Sequence, residues 1–313
     1  MSVGLRGAVL GILAVAPCGS AGVVAYDLRY TFVYQQLGDA APTTPGVYVW
    51  SSRVDLEDST DASLASITTP ASVGAFLFPV GESSFLASRS FASESSMNWS
   101  FPAGLYTLTL AGGSLGGIAT WINRPSQTYY PQSVPAFTPA SVSAIASARV
   151  TAAWPLTFNS FALPAGANNG FTRVTIATDT NAEIYSATLP AGAAGVLIPA
   201  GTMLPSTGYR LRLTFSAQQS QASLGFPGAT ASVAFDRQTI YAFTTRSACD
   251  ADLTGDDSVD DSDFVIFADA YNLLDCSSPM MPAGCPADLA RDGSVDDSDF
   301  VLFAAAYSQL LCP

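Results

Sequence analysis

The sequence predicts a mainly β-sheet protein that ends in a small α-helical module. Two observations support this fold class. From Tyr26 to about Arg246, here called the body, short runs of alternating apolar and polar residues are separated by Gly, Pro and Ser, which is typical of strands in β-sandwiches. After residue 248, apolar residues recur at helical spacing within an acidic, duplicated segment.

The charge composition excludes several classes of function. The 313 residues include 25 acidic and 12 basic side chains, and neither histidine nor lysine occurs. Catalytic triads, P-loops and Schiff-base chemistry are therefore excluded. Residues 249–313, here called the tail, hold 14 acids and one arginine for a net charge of −14 + 1 = −13, whereas residues 1–248 hold 11 of each. Without a basic patch, no nucleic-acid binding is expected; carboxylate chemistry, calcium binding and recognition through surface shape remain.

Residues 1–25 are predicted to be a secretory signal peptide. Arg6 precedes an apolar run at 8–16, which is shorter than the ~20 residues that a membrane-spanning helix needs. Small residues then lead to a cleavage site before Tyr26, with cleavage after Ala21 as the alternative. We therefore expect a secreted, extracellular or cell-surface protein that does not span the membrane.

Residues 26–123 are predicted to form a first β-sandwich. Their opening strand alternates, so that Leu28, Tyr30 and Phe32 share one face. The following residues, 124–136, are Pro-rich and lack periodicity, which predicts a short, stiff linker.

Residues 137–246 are predicted to form a second β-sandwich. Trp154 lies near the end of an early strand, and residues 204–209 (LPSTGY) precede a long one. These features resemble the core tryptophan and the tyrosine corner of a fibronectin type III domain, which implies that the Tyr209 hydroxyl bonds back to the backbone. Residues 101–106 (FPAGLY) repeat the Pro-to-Tyr spacing, from which we infer that the first sandwich is immunoglobulin-like.

No pair of carboxylates in the body stands out as the acid and base of a glycosidase, so we predict that it is not an enzyme. One acidic cluster is interpreted as a solvated loop, with a further calcium site as the alternative; it comprises Asp55, Glu57, Asp58 and Asp61. A set of aromatic residues is interpreted as core, with a sugar-stacking platform as the alternative; it comprises Trp50, Trp99, Trp121, Tyr129 and Tyr130.

The tail is a duplication with a period of 36 residues, in which 249–264 (CDADLTGDDSVDDSDF) return as 285–300 (CPADLARDGSVDDSDF). Calcium binds about 6–8 oxygen ligands, which alternate positions of a twelve-residue loop supply. Loop 1 is residues 252–263 and loop 2 is residues 288–299. The predicted ligands lie at loop positions 1, 3, 5, 7, 9 and 12. In loop 1 they are Asp252, Thr254, Asp256, Ser258, Asp260 and Asp263. In loop 2 they are Asp288, Asp292, Ser294, Asp296 and Asp299, because Ala290 leaves position 3 without a side-chain oxygen. Two calcium ions are expected.

These loops, each leading into a single helix, resemble a type I dockerin repeat pair, in which Asp at position 12 is usual. The resemblance covers residues 249–313. It implies that the tail docks a secreted protein to a cohesin-like or other scaffold or surface protein, typically in polysaccharide-degrading complexes. Polysaccharide is a separate partner, expected if the chain is an accessory carbohydrate-binding protein. The resemblance also implies recognition through loop positions 10 and 11, which are Asp261, Ser262, Asp297 and Ser298. Because both copies are identical there, two docking orientations are expected.

Removal of the leader leaves four cysteines, all in the tail, and an even number in an exported chain favours disulfides. Each repeat has one cysteine before its loop (Cys249, Cys285) and one after its helix (Cys276, Cys312). Repeat symmetry predicts the pairs Cys249–Cys276 and Cys285–Cys312. The symmetric alternative is Cys249–Cys312 with Cys276–Cys285.

The predicted function is that of a secreted or cell-surface, non-enzymatic protein whose β-sandwiches serve adhesion or spacing and whose tail docks in a calcium-dependent manner. Two alternatives remain open. One is an accessory carbohydrate-binding protein or cryptic glycosidase of a polysaccharide-degrading complex. The other is a self-assembling filament or surface-layer subunit that adds edge strands.

Overall fold

The computed structural model describes residues 22–146, 153–205, 207–223, 225–245, 249–256, 258–282, 284–290 and 292–309. Most of the predicted signal peptide lies outside the described residues. The first strand begins at Val23, so cleavage before Tyr26 would remove its first residues, whereas cleavage after Ala21 would leave it whole.

The fold is mainly β-sheet, as predicted. The strands are β1 Val23–Gln35, β2 Val47–Leu56, β3 Leu64–Thr68, β4 Gly74–Pro79, β5 Ser84–Phe91, β6 Gly104–Ala111, β7 Ala119–Arg124, β8 Trp154–Thr157, β9 Asn169–Thr178, β10 Glu183–Pro190, β11 Gly195–Ile198, β12 Gly208–Ala222 and β13 Thr230–Thr244. The helices are α1 Glu94–Ser100, α2 Pro139–Ala146, α3 Asp261–Tyr271 and α4 Asp297–Tyr307. Among the described residues, no helix has the length and apolar character needed to cross a membrane.

The first unit is a β-sandwich made by a sheet that folds back on itself. Its strand order is β1-β2-β5-β4-β3-β6-β7. The two ends of this order meet, because Tyr26 Oη on β1 lies 3.1 Å from Thr120 Oγ1 on β7, and the Arg124 guanidinium lies 4.3 Å from the centre of the Tyr30 ring. Alternate residues of β1, beginning with Leu28, point into the core, as their spacing predicts.

The second unit packs β9, β10, β12 and β13 against a two-stranded sheet of β8 and β11. Trp154 on β8 and Leu211 and Leu213 on β12 are buried between the two layers. Helix α2 covers one side of this core with Ile145. Helices α1 and α2, of 7 and 8 residues, were not predicted, because so few residues do not establish a helical period.

The two units share a long hairpin, which corrects the prediction of two consecutive, separate sandwiches. Strands β12 and β13 each span 15 residues. Leu213 of β12 belongs to the second core, whereas Val233 and Phe235 of β13 belong to the first. Strand β13 also pairs in parallel with β1 from Ala25 to Gln35. An 11-stranded sheet therefore runs through both units.

Residues 124–136, which the sequence predicts to be a linker, are packed against this shared sheet. The Tyr130 ring stacks on Phe32 with 4.0 Å between centroids, and the Tyr129 ring lies edge-on to Phe235 at 5.8 Å. The Pro-rich segment thus completes the first core at the hairpin instead of spacing two independent units.

Tyrosine-corner hydrogen bonds are present in both units. The Tyr209 hydroxyl accepts a hydrogen bond from the Leu204 amide at 2.8 Å, and the Tyr106 hydroxyl donates one to the Pro102 carbonyl at 2.8 Å. Each bond ties the segment before a long strand to the strand itself, as the repeated Pro-to-Tyr spacing indicates.

Replacing Tyr209 with phenylalanine should lower the free energy of unfolding by about 1–3 kcal/mol, because the Leu204 amide would lose its acceptor in a partly buried position. Urea denaturation followed by circular dichroism measures this loss. Tyr241→Phe is the matched control, since that hydroxyl has no hydrogen-bond partner among the described residues. An equal loss in the control would contradict the role assigned to Tyr209.

Candidate metal centre

Loop 1 brings together three of its predicted ligands. The carboxylates of Asp252, Asp256 and Asp263, at positions 1, 5 and 12, each offer an oxygen, and these oxygens all lie within 4.8 Å of one another. Asp252 and Asp263 are buried, whereas Asp256 is exposed. Three carboxylates at this separation repel one another, so their charges favour a cation among them.

Backbone amides hold the two buried carboxylates in position. Asp263 Oδ1 accepts hydrogen bonds from the amides of Leu253 and Thr254 at 2.7 and 2.8 Å, and its Oδ2 accepts one from the Asp260 amide at 2.9 Å. Asp252 Oδ1 accepts from two amides of the following turn at 2.6 and 3.1 Å. The first and last positions of the loop are therefore both tied to its backbone.

The other predicted ligands of loop 1 surround this group. Asp260, at position 9, is the N-cap of α3 and accepts a hydrogen bond from a first-turn amide at 2.8 Å. Carboxylates at position 9 often reach the metal through water, which is compatible with capping. The Thr254 hydroxyl donates to Asp252 Oδ1 at 3.3 Å, and the Ser258 amide donates to Asp256 Oδ1 at 3.0 Å.

Loop 2 repeats the hydrogen bonds that hold the last aspartate of loop 1, but it does not repeat the close group of three carboxylates. Asp299 accepts hydrogen bonds from the amides of Ala290 and Asp296 at 2.7 and 2.8 Å, as Asp263 does in loop 1. Asp288, however, accepts loop amides on both of its oxygens, at 3.1 and 3.0 Å. Within the described part of loop 2, the carboxylates do not form a group as tight as that of loop 1.

Each loop contains a glycine in the left-handed region of backbone conformation. The left-handed backbone lies at Gly255, position 4 of loop 1, with φ +80°, and at Gly293, position 6 of loop 2, with φ +91°. Asp257, which occupies position 6 of loop 1, lies outside the described residues. Arg291, at position 4 of loop 2, also lies outside them.

The donor set of loop 1 fits calcium. All its donors are oxygens, the ligands that a hard divalent cation prefers, and three of them are carboxylates. The residues that would hold the ion are those of the cluster, with the Thr254 hydroxyl and the Ser258 carbonyl. A second close group, Cys276, Cys285 and Asp288, does not fit, because its two sulfurs are joined in a disulfide.

Helices α3 and α4 pack through reciprocal aromatic contacts. Phe267 and Phe303 stack with 4.8 Å between centroids at the centre of the tail core. Val259 and Val295, at position 8 of the two loops, are fully buried beside them, as their apolar character predicts. The duplicated sequence thus produces a duplicated structure that shares one core.

The predicted docking residues at position 10 are engaged within the tail. The Tyr271 hydroxyl donates a hydrogen bond to Asp297, and the Tyr307 hydroxyl donates one to Asp261. The carboxylate acceptor raises the pKa of each tyrosine. At position 11, Ser262 and Ser298 are exposed. Position 10 therefore links the two repeats to each other.

The disulfide pairing preferred from repeat symmetry is wrong. Cys276 is bonded to Cys285, which is 9 residues further along the chain, with 5.4 Å between their Cα atoms. The bond joins the end of the first repeat to the start of the second, where the connecting segment folds back on itself. It is one half of the symmetric alternative. Cys249 is buried in the tail core, and Cys312 lies outside the described residues.

The acidic cluster of the body forms a structural loop. Asp61 is buried and accepts hydrogen bonds from the Ser114 hydroxyl at 2.7 Å and from the amides of Gly22 and Asp58 at 3.1 and 3.2 Å. Among the described residues of this cluster, no three carboxylates lie close enough to share an ion. These contacts favour the loop interpretation over a further calcium site.

The structure brings together two carboxylates that sequence spacing did not single out. Arg29 lies between Asp27 and Asp236, with its Nε 3.0 Å from Asp27 Oδ2 and its Nη1 2.9 Å from Asp236 Oδ2. Burial raises the pKa of Asp27, against the opposing effect of Arg29. Because β1 and β13 meet only in the fold, no local pattern could have indicated this pair, and we interpret it as a tie between the units.

The predicted aromatic set is divided between the core and the surface. Trp50 and Tyr130 are buried, whereas Trp99 and Trp121 are 85% and 45% exposed. The two exposed tryptophans lie on different elements, α1 and β7. They do not form the single platform that the sequence left open.

No family model and no curated protein sequence matches the chain. Among solved structures, it is similar to a two-domain fibronectin type III segment of chicken tenascin, at 12% identity over 72% of this chain and 99% of that one, with a TM-score of 0.22. It is also similar to the BSP domain of a biofilm-associated protein, at 15% identity over 72% and 29%, TM-score 0.21. A third is a bacterial ice-binding adhesin, at 14% identity over 68% and 63%, TM-score 0.21. Similarities this low assign neither a family nor a ligand.

Proposed function

We propose that this chain is a secreted or cell-surface, non-enzymatic protein whose tail is a calcium-stabilised docking module carried by a β-sandwich body. The observation that supports it best is the convergence of the Asp252, Asp256 and Asp263 carboxylates within 4.8 Å. Calcium, when bound, supplies the positive charge that offsets their repulsion. The amides that hold Asp252 and Asp263 orient the loop for this role and place the start of α3.

The docking surface that we propose is the exposed face of α3 and α4. Phe264 and Phe300 are each 45% exposed, and Val265 and Val301 are exposed beside them. Grooves of about 340 and 380 Å³ flank the two phenylalanines. A contiguous apolar surface of this kind is typical of protein interaction sites. Neither helix carries a basic residue, so an apolar patch on a cohesin-like or other scaffold protein is the partner surface we propose.

The body suits a role in spacing or adhesion because its two units cannot rotate independently. The shared hairpin and the parallel pairing of β1 with β13 join them through continuous backbone hydrogen bonds. A docked tail would therefore carry the two units as one rigid body.

The immobilised full chain should capture a protein partner from the native extracellular fraction in calcium and release it in EDTA. Exchanging both Phe264 and Phe300 for serine should abolish capture, because the apolar surface would be lost. Leu105→Ser is the control, since Leu105 is 52% exposed but lies on the body. Calcium-dependent melting of each variant confirms that the tail is folded. Capture that persists in EDTA, or in the double variant, would contradict the proposal.

A further inference from the structure

A groove opens in the first sandwich where β4 and β5 separate. The two strands pair only at Phe78↔Leu86 and Pro79↔Phe85. Beyond those pairs, β4 stays paired with β3 and β5 stays paired with β2, so the edges that face each other are left apart. The gap between them, bordered by the end of α1, has a volume of about 700 Å³, which is within the range of ligand sites.

Aromatic rings form the floor and the rim of this groove. On the floor, the buried rings of Trp50 and Phe101 stack with 3.6 Å between centroids. On the rim, Trp99, Phe76 and Phe78 are 85%, 63% and 69% exposed. Single exposed apolar side chains are ordinary, but three exposed rings around one groove indicate a surface that is covered by something else.

Arg89 is the one charged residue that lines the groove. It pairs with Trp50 across β2 and β5, so it lies on the same face of the sheet as Trp50, and it is exposed where the groove opens. Within the described part of the chain, Arg89 has neither an ion pair nor a side-chain hydrogen bond. The other described arginines of the body all have a polar partner: Arg29, Arg53, Arg124, Arg173, Arg210, Arg212 and Arg237.

We propose that this groove binds a polysaccharide that carries carboxylate groups. The apolar faces of sugar rings stack on aromatic side chains such as Trp99, and the guanidinium fork of Arg89 matches the two oxygens of a carboxylate. Ser88 and Ser100 line the same groove and supply hydroxyls for the rim of a sugar ring. A charged residue beside an open strand edge also discourages edge pairing between strands, but that role requires no ring of exposed aromatics.

The site is separate from the tail, so its ligand binding should not depend on calcium. Affinity electrophoresis of the full chain through glucuronoxylan, compared with the same polymer after reduction of its carboxyl groups, tests the proposal. We expect retardation by glucuronoxylan in calcium and in EDTA alike, and about tenfold weaker association with the reduced polymer. Loss of calcium binding by the tail would leave this result unchanged, so the two proposals fail independently.

Variants locate the site. Trp99→Ala and Arg89→Gln should each weaken association with glucuronoxylan by about tenfold, and Arg89→Gln should abolish the preference for the carboxylated polymer. Trp121→Ala is the matched control, because Trp121 is exposed outside the groove. Equal retardation by dextran sulfate, equal loss in the control, or absence of retardation would overturn the proposal. So would a dimer that Trp99→Ala dissociates, since the groove would then be an interface between copies.

Discussion

Replacing Phe235 with alanine should lower the free energy of unfolding of the body by about 3–5 kcal/mol, the cost of removing a large aromatic side chain from a packed core. Phe235 is fully buried, and its ring contacts Tyr30, Tyr129 and Tyr130 with centroid distances between 5.3 and 5.8 Å. It lies on β13 but packs in the core of the first unit. The substitution therefore removes core packing from the strand that joins the two units.

The location of the lost stability shows whether the two units unfold together or separately. Because β13 pairs with both β1 and β12, we expect hydrogen exchange to accelerate in β6 of the first unit and also in β9 of the second. Phe78→Ala is the control: Phe78 is 69% exposed, and its removal should change stability by less than about 0.5 kcal/mol. Faster exchange in β6 with unchanged exchange in β9 would show that the units unfold separately and that the shared hairpin does not couple them.

The shared hairpin also shows which parts of the fold could be predicted from the sequence. Alternation predicted the strands, because successive side chains of a strand point to opposite faces of the sheet and the apolar face is buried. Leu28 and Leu211 lie on such apolar faces, and both are buried. It could not predict that β1 pairs with β13, since a parallel pairing between distant segments leaves no local pattern. The linker was misread for the same reason, because Tyr129 and Tyr130 pack against strands that are distant in sequence.

In the tail, the repeat predicted the two loops and helices, but strict symmetry misled on their details. Repeat symmetry favoured bonds within each repeat, whereas Cys276 and Cys285 lie at the two ends of a short connection and bond to each other. The dockerin resemblance assigns position 10 to docking, which stays a prediction; the sequence did not indicate that Asp261 and Asp297 also accept hydrogen bonds from tyrosines at the ends of the opposite helices. Sequence periodicity identifies elements, but contacts between repeats depend on how the copies pack.

Withdrawing calcium should destabilise the tail, and loop 1 should account for more of the lost stability than loop 2. A ligand present at about 100 times its dissociation constant stabilises the folded state by about 2.7 kcal/mol per site, which corresponds to roughly 10–20 °C in the melting temperature of so small a module. Extracellular calcium modules bind with dissociation constants of about 10⁻⁴–10⁻³ M, so about 10 mM calcium reaches this range for the tighter loop. Differential scanning calorimetry in calcium and in EDTA measures the difference.

Position 5 separates the two loops because its carboxylate is exposed in both and takes no part in the helix caps. Asp256→Asn should remove most of the calcium-dependent shift, because it breaks up the cluster with Asp252 and Asp263. Asp292→Asn should remove less, since loop 2 lacks an oxygen at position 3 and its described carboxylates do not form a group as tight as that of loop 1. Asp269→Asn removes the same charge from the exposed side of α3 and should leave the shift unchanged. If all three variants change the calcium-dependent shift in melting temperature equally, general charge repulsion and not a loop site governs the stability of the tail.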